Sequence, residues 1–182
     1  MKQGLFVVVS GLPASGKTTL ALQISKRLGI SLFDKDTILE ALYDGCGCTD
    51  IQTRGRFSRS SDLTLQRLAK EACSAVLVSH WQHPTLQDSP SGTPTSWLAT
   101  LPGRLVEIHV ACPTDVAVRR FMERSRHPGH LDGLRGEDEL RQQFVQLNAL
   151  GALGIGALIM VRGDEPYDID EIIGDISEHR SQ

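Results

Sequence analysis

A parallel α/β sheet with helices on both faces is the fold class this sequence predicts, and three observations predict it. Five apolar runs read as strands, near 5–10, 31–34, 75–79, 105–111 and 157–161. Helix-period patterns separate them, and such alternation calls for crossover connections between parallel neighbours. The first run, Leu5 to Val9, leads straight into a glycine-rich turn and then a helix, the order of a strand–loop–helix phosphate cradle.

The helices follow in order. The first follows Lys17, with Leu20, Ile24 and Leu28 on one face and Gly29 as its stop. The second is expected to start at Thr37, where Glu40 three residues on would complete a capping box. Residues 44–60 carry three Gly, two Cys and three Arg with few apolar anchors and read as a long loop. Ser60-Ser61-Asp62 then opens a third helix bearing Leu65, Leu68, Ala69 and Ala72. Residues 80–96, with Pro84, Pro90 and Pro94, read as a second long loop, in which Thr93-Pro94 resembles a helix start and Trp97 belongs to the core. A fourth helix begins at Pro113-Thr114-Asp115, with Ala117, Phe121 and Met122 inward. A fifth begins at Glu137-Asp138-Glu139, whose charges suit a helix N-terminus, and carries Leu140, Phe144 and Leu147. The last has Ile169, Ile172, Ile173 and Ile176 at helical spacing.

Composition bounds the function. The 182 residues suit one domain spanning 1–182. A net charge of −3 provides no basic field for nucleic acid or anionic lipid. No apolar stretch approaches the ~20 residues that cross a bilayer, and the chain enters strand and loop without room for a removable leader. Cys46, Cys48, Cys73 and Cys112 lack metal-ligand spacing and read as reduced thiols. The expected compartment is the cytoplasm.

The chemistry begins with Gly11-Leu12-Pro13-Ala14-Ser15-Gly16-Lys17-Thr18, a G-x-x-x-x-G-K-T phosphate loop. Gly11 and Gly16 let the backbone curl past Pro13, so that N–H groups along Ala14, Ser15 and Gly16 surround phosphate oxygens. Lys17 supplies a point charge at the β- and γ-phosphates. Thr18 offers a hydroxyl to Mg²⁺, and with Thr19 it opens a helix whose positive end faces the same anion. The nucleotide contacts expected here are therefore Gly11, Pro13, Ala14, Ser15, Gly16, Lys17, Thr18 and Thr19.

The second strand ends in Asp34-Lys35-Asp36, where a parallel sheet presents ligands. Asp34 could hold the metal, directly or through water. Asp36 could accept a proton from an attacking hydroxyl. Either could instead cap the helix that follows. Lys35 is expected on the surface.

The phosphate loop, the D-x-D and the five-strand pattern together resemble the shikimate kinase-like small-molecule kinases, a group that includes chloramphenicol phosphotransferase-like enzymes. The resemblance implies a P-loop three-layer α/β/α sandwich, sheet order 2-3-1-4-5, a helical lid over about 120–140, ATP as donor, Mg²⁺ and a hydroxyl acceptor. It puts Asp34 near the metal and Asp36 on the acceptor hydroxyl. The third strand departs from the group. Val78-Ser79-His80-Trp81 replaces the triple-glycine turn that holds shikimate, and no acidic residue ends the strand.

Arg120 and Arg124 lie four apart on one helix face. By the resemblance Arg120 flanks the adenine, while Arg124 and Arg126 approach the transferring phosphoryl group, where a guanidinium stabilises developing charge. Arg135 is a further lid candidate, and Arg119 belongs to the surface. His127 and His130 shape the lid turn or touch substrate. In the acceptor region Arg54, Arg56 and Arg59 could grip a carboxylate or phosphate, and His80 and Trp81 stand at the crevice edge. Gly163, after the fifth strand, could admit the adenine closely.

The expected function is transfer of the γ-phosphoryl group of ATP to a hydroxyl of a small molecule: a metabolite, a nucleoside-like compound or an antibiotic. Asp36, Lys17 and Arg124 carry the reaction. Asp34, Asp36, Arg54, Arg56, Arg59, His80, Trp81 and Arg126 meet the acceptor, and Thr18 and Asp34 meet the metal. The alternatives are a nucleotide hydrolase or switch without acceptor, disfavoured by the missing acid after strand three and the lack of an N-K-x-D motif, and a nucleic-acid end kinase, disfavoured by charge. A monomer or homodimer is expected.

Overall fold

The computed structural model describes residues 4–86 and 91–181, so Pro90 lies outside the described residues. Five strands, β1 (Gly4–Gly11), β2 (Ser31–Asp34), β3 (Ala75–Val78), β4 (Gly103–Ala111) and β5 (Ala157–Arg162), form one sheet in the order β2-β3-β1-β4-β5. All four neighbouring pairs are parallel, with Val8 opposite both Leu77 and Glu107 in register. The six α-helices among the described residues are α1 (Lys17–Leu28), α2 (Lys35–Cys46), α3 (Ile51–Glu71), α4 (Thr114–Glu123), α5 (Glu137–Leu150) and α6 (Ile169–Ser181). None of them is long and apolar enough to cross a membrane.

β1 is buried on both faces, so its residues supply two cores. Val7 and Val9 meet Leu20 and Ile24 of α1 and Ile172 and Ile176 of α6. Phe6 and Val8 meet Leu65 and Ala69 of α3 together with Trp81, Trp97 and Leu98. A third cluster lies beside the phosphate loop. There Leu12 joins Phe121 of α4 and Phe144 of α5, whose rings meet edge to face at 5.8 Å.

Several expectations change. α2 starts at Lys35, not Thr37. Asp34, in extended geometry, is the cap, and its carboxylate accepts the Asp36 N–H at 2.9 Å. Glu40 is not part of a capping box, because its carboxylate goes to His130 instead. Residues 51–59 are not loop but the first half of α3, capped by Asp50, whose carboxylate accepts the Thr53 N–H. That half of α3 turns Arg54, Ser58 and Asp62, spaced by four, toward a polar cleft. A helix that faces a polar cavity has no apolar stripe to betray it. Thr93-Pro94 starts no helix; Thr93 forms an isolated parallel bridge with Trp81. Met122 is exposed rather than inward. Lys35 is buried rather than on the surface, because it has an ion-pair partner in Asp62.

Candidate active site

A cleft of about 620 Å³ opens at the carboxyl ends of β1, β2 and β3, between the phosphate loop, α3 and the segment after α4. Its floor is the loop. Gly16 caps α1 at φ 101°, a left-handed conformation open to glycine, and Ala14 sits at φ 61°. This turn exposes Pro13, Ala14, Gly16, Lys17, Thr18 and Thr19 to the cleft. Gly11, Ser15 and Gly163, also expected at the nucleotide, stand behind the wall rather than in it. A Cβ on Gly11 would meet the Val110 carbonyl at 2.4 Å, and one on Gly163 would meet the Ser15 carbonyl at 2.2 Å. These two glycines let β4 and the turn after β5 close up against the back of the loop. The Ser15 hydroxyl is buried with no hydrogen-bond partner.

Lys17 is buried, and its ammonium donates to the Leu12 carbonyl at 2.6 Å. Burial, helped by Arg124 and Arg126 and opposed by Asp36 and Asp34, brings its pKa down to about 8. The Thr18 hydroxyl donates to the Asp34 carboxylate at 3.1 Å, joining the head of α1 to the end of β2. Burial raises the Asp34 pKa, against the lowering effect of the Asp36 N–H. A hydroxyl and a carboxylate in contact are hard oxygen donors that suit Mg²⁺ completed by water and phosphate oxygens. Asp36 lines the same cleft and is half exposed.

The segment expected to form a lid runs from the end of α4 to α5. Arg124 lies 4.2 Å over the Phe121 ring, its Nη2 is 3.5 Å from Asp132, and its Nε is buried without a partner. Burial first, then Arg126, lowers its pKa to about 10. Arg126 pairs with Asp36 and, at 3.1 Å, with Asp132. Arg120 donates to the Gly163 carbonyl at 2.7 Å while still lining the cleft. The two lid histidines dock on Tyr43 of α2. His127 stacks at 5.3 Å and bonds Asp44, and His130 meets the ring edge-on at 5.3 Å and bonds Glu40 at 2.8 Å.

Toward α3 and the end of β3, Arg54, Arg59 and His80 line the cleft, as does Arg135. Burial, then Lys17 and Lys35, takes the His80 pKa down to about 4, so the ring is neutral. Two expected acceptor residues lie elsewhere. Arg56 points away on α3, bonded to Thr53. Trp81 is a core residue whose indole N–H donates to the Val9 carbonyl at 2.9 Å. An indole following a strand end serves either role in sequence, and here the β1 carbonyl captures it. Sequence reasoning missed Asp132 and Asp62, which sit in aperiodic or polar stretches and become visible only through their cationic partners. Among the described residues no group of three or more His, Cys, Asp or Glu is arranged to hold a metal by itself.

Comparison with known proteins agrees with the fold. A family model described as an AAA domain matches residues 7–143. A shikimate kinase of Mycobacterium ulcerans (strain Agy99) is 34% identical over 73 residues, 40% of this chain and 36% of that protein. The chain thus matches little more than a third of that relative's length. Among solved structures, a provisionally assigned kinase from Chloroflexus aurantiacus J-10-fl superposes with TM-score 0.74 at 22% identity, covering 100% of this chain and 98% of that one. A gluconokinase from Sinorhizobium meliloti 1021 superposes with TM-score 0.57 at 18% identity, covering 99% and 93%. A shikimate kinase from Bacteroides thetaiotaomicron gives TM-score 0.53 at 16% identity, covering 97% of each chain. At these identities the likeness is one of fold.

Proposed function

The chain belongs to the AAA domain family, whose model matches residues 7–143, and on that premise we propose that it is an ATP-dependent small-molecule kinase. The γ-phosphoryl group goes to an acceptor hydroxyl. The observation that carries the reading is the Thr18–Asp34 hydrogen bond at 3.1 Å, which ties the phosphate loop to an acidic pair lining the same cleft as Lys17.

In this reading the loop amides and Lys17 hold the β- and γ-phosphates, and Lys17 leaves the Leu12 carbonyl to do so. Thr18 and Asp34 are the residues that would hold Mg²⁺, which would supply positive charge to offset that of the phosphates. Asp36 takes the proton of the acceptor hydroxyl as its oxygen bonds to the γ-phosphorus and the bond to the β-phosphate oxygen breaks. Arg126 must release Asp36 for that transfer. Arg124 supplies positive charge at the equatorial oxygens, and Arg120 flanks the adenine. The lid keeps water out of the cleft. Arg54 and Arg59 favour an acceptor with a carboxylate or phosphate. The acceptor itself is a metabolite, a nucleoside-like compound or an antibiotic. The four unpaired thiols suit a reducing cytoplasm.

The test is acceptor dependence. With γ-labelled ATP and a small-metabolite extract, label should move to an organic product, and ADP formation should be slow without extract. Rapid phosphate release without any acceptor would make the protein a hydrolase or switch. Salt-sensitive binding and labelling of oligonucleotides would make it an end kinase.

A further inference from the structure

Between the two acids of the D-x-D, the Lys35 ammonium lies 2.5 Å from the Asp62 carboxylate, with only 9% and 17% of the two side chains exposed. The same Asp62 oxygen accepts the Thr93 hydroxyl at 2.6 Å. Thr93 has one hydroxyl proton, and it is donated to Asp62. The Ser79 hydroxyl, 2.5 Å from Thr93, therefore donates to Thr93. The chain Ser79 to Thr93 to Asp62, with Lys35 donating from the other side, joins the end of β3, the Trp81–Thr93 bridge, α3 and the head of α2. Lys35, Asp62 and Ser79 all line the cleft.

A buried ammonium without a partner is costly. Lys35 has a flexible four-carbon stem and carboxylates on either side of it in sequence. Without Asp62 it would turn to Asp34 or Asp36, the two groups the transfer reaction uses. We propose that Asp62 is a positioning residue of the transfer site. It keeps the Lys35 ammonium away from Asp34 and Asp36 and, through Thr93, fixes the acceptor-side wall. The catalytic consequence rests on the kinase reading, whereas the placement of Lys35 does not.

The experiment is a crystal structure of the full-length Asp62→Asn variant, with Asp62→Asn, Asp62→Glu and the Asp62→Asn/Lys35→Met double variant compared with wild type in calorimetry with Mg²⁺ and AMP-PNP. The expected result is a Lys35 ammonium within hydrogen-bond distance of Asp34 or Asp36 in Asp62→Asn, and an affinity about tenfold or more weaker than wild type. The double variant, which lacks the ammonium, and Asp62→Glu, which restores its partner, should return toward wild-type affinity. A Lys35 ammonium that stays beside residue 62 in Asp62→Asn, or a double variant as weak as Asp62→Asn, overturns the proposal. If Asp62→Asn does not fold, Asp62→Ser is read by the same outcomes. Absent binding to the wild type would sink the kinase reading and leave the position of Lys35 to judge Asp62.

Discussion

Arg126 of the lid is paired with Asp36 at the head of α2, and the same guanidinium also bonds Asp132 within the lid. One side chain thus spans the cleft and occupies the carboxylate proposed to accept the acceptor's proton. Lid position and base availability are therefore coupled through a single ion pair.

Replacing Asp36 with Asn should leave nucleotide binding intact and cut phosphotransfer about 10²-fold or more, the usual contribution of a general base. Label transfer from ATP and calorimetric AMP-PNP affinity, measured on the same preparation, check this. Turnover near wild type would leave Asp36 as only a partner for the lid.

Lys17→Ala should abolish stabilisation by ATP. In the wild type, nucleotide at about 100 times its Kd adds about 2.7 kcal/mol, a rise of about 5 °C or more in Tm for a chain of this size. Thermal denaturation with and without Mg²⁺ and ATP reads the difference. A variant that keeps the full shift would mean the loop is not holding phosphate through Lys17.

His80 makes stability depend on pH. Burial takes its pKa from 6.5 to about 4 in the folded chain. Between those values the unfolded chain binds the proton and the folded chain does not. Its contribution is therefore fully present above pH 6.5 and is lost as pH falls from 6.5 through 4. His80→Asn should flatten that part of the stability curve, as measured by urea unfolding at several pH values. An unchanged slope would place the His80 ring in contact with water.

Gly129→Ala tests lid docking. A Cβ there would sit 2.5 Å from the Tyr43 ring, which is itself 2% exposed. The expected cost is about 1–3 kcal/mol, with a Tm lower by about 2–4 °C per kcal/mol and faster proteolysis between α4 and α5. Unchanged proteolysis would mean that the lid docks without Tyr43.

How much of this was legible in the sequence differs residue by residue. Strands buried on both faces are continuous apolar runs, and a phosphate loop is a local motif, so β1, the sheet order implied by the resemblance, Lys17, Thr18 and the Asp34–Asp36 pair were readable directly. The first half of α3 was not, because its inward face meets a polar cleft instead of a core. Trp81 and Lys35 exchanged their expected places for the same kind of reason. Trp81 found a backbone acceptor in Val9, and Lys35 found a carboxylate 27 positions away in Asp62.

The sequence by itself determined the sheet, the anion cradle and the chemistry available at the ends of β1 and β2, since each depends on neighbours within a few positions. The tertiary structure alone decided which partner each acid meets: Arg126 for Asp36, Lys35 for Asp62, and the His130 ring for Glu40 in place of a capping box. Charges pair by distance in space, and only the folded chain fixes that distance.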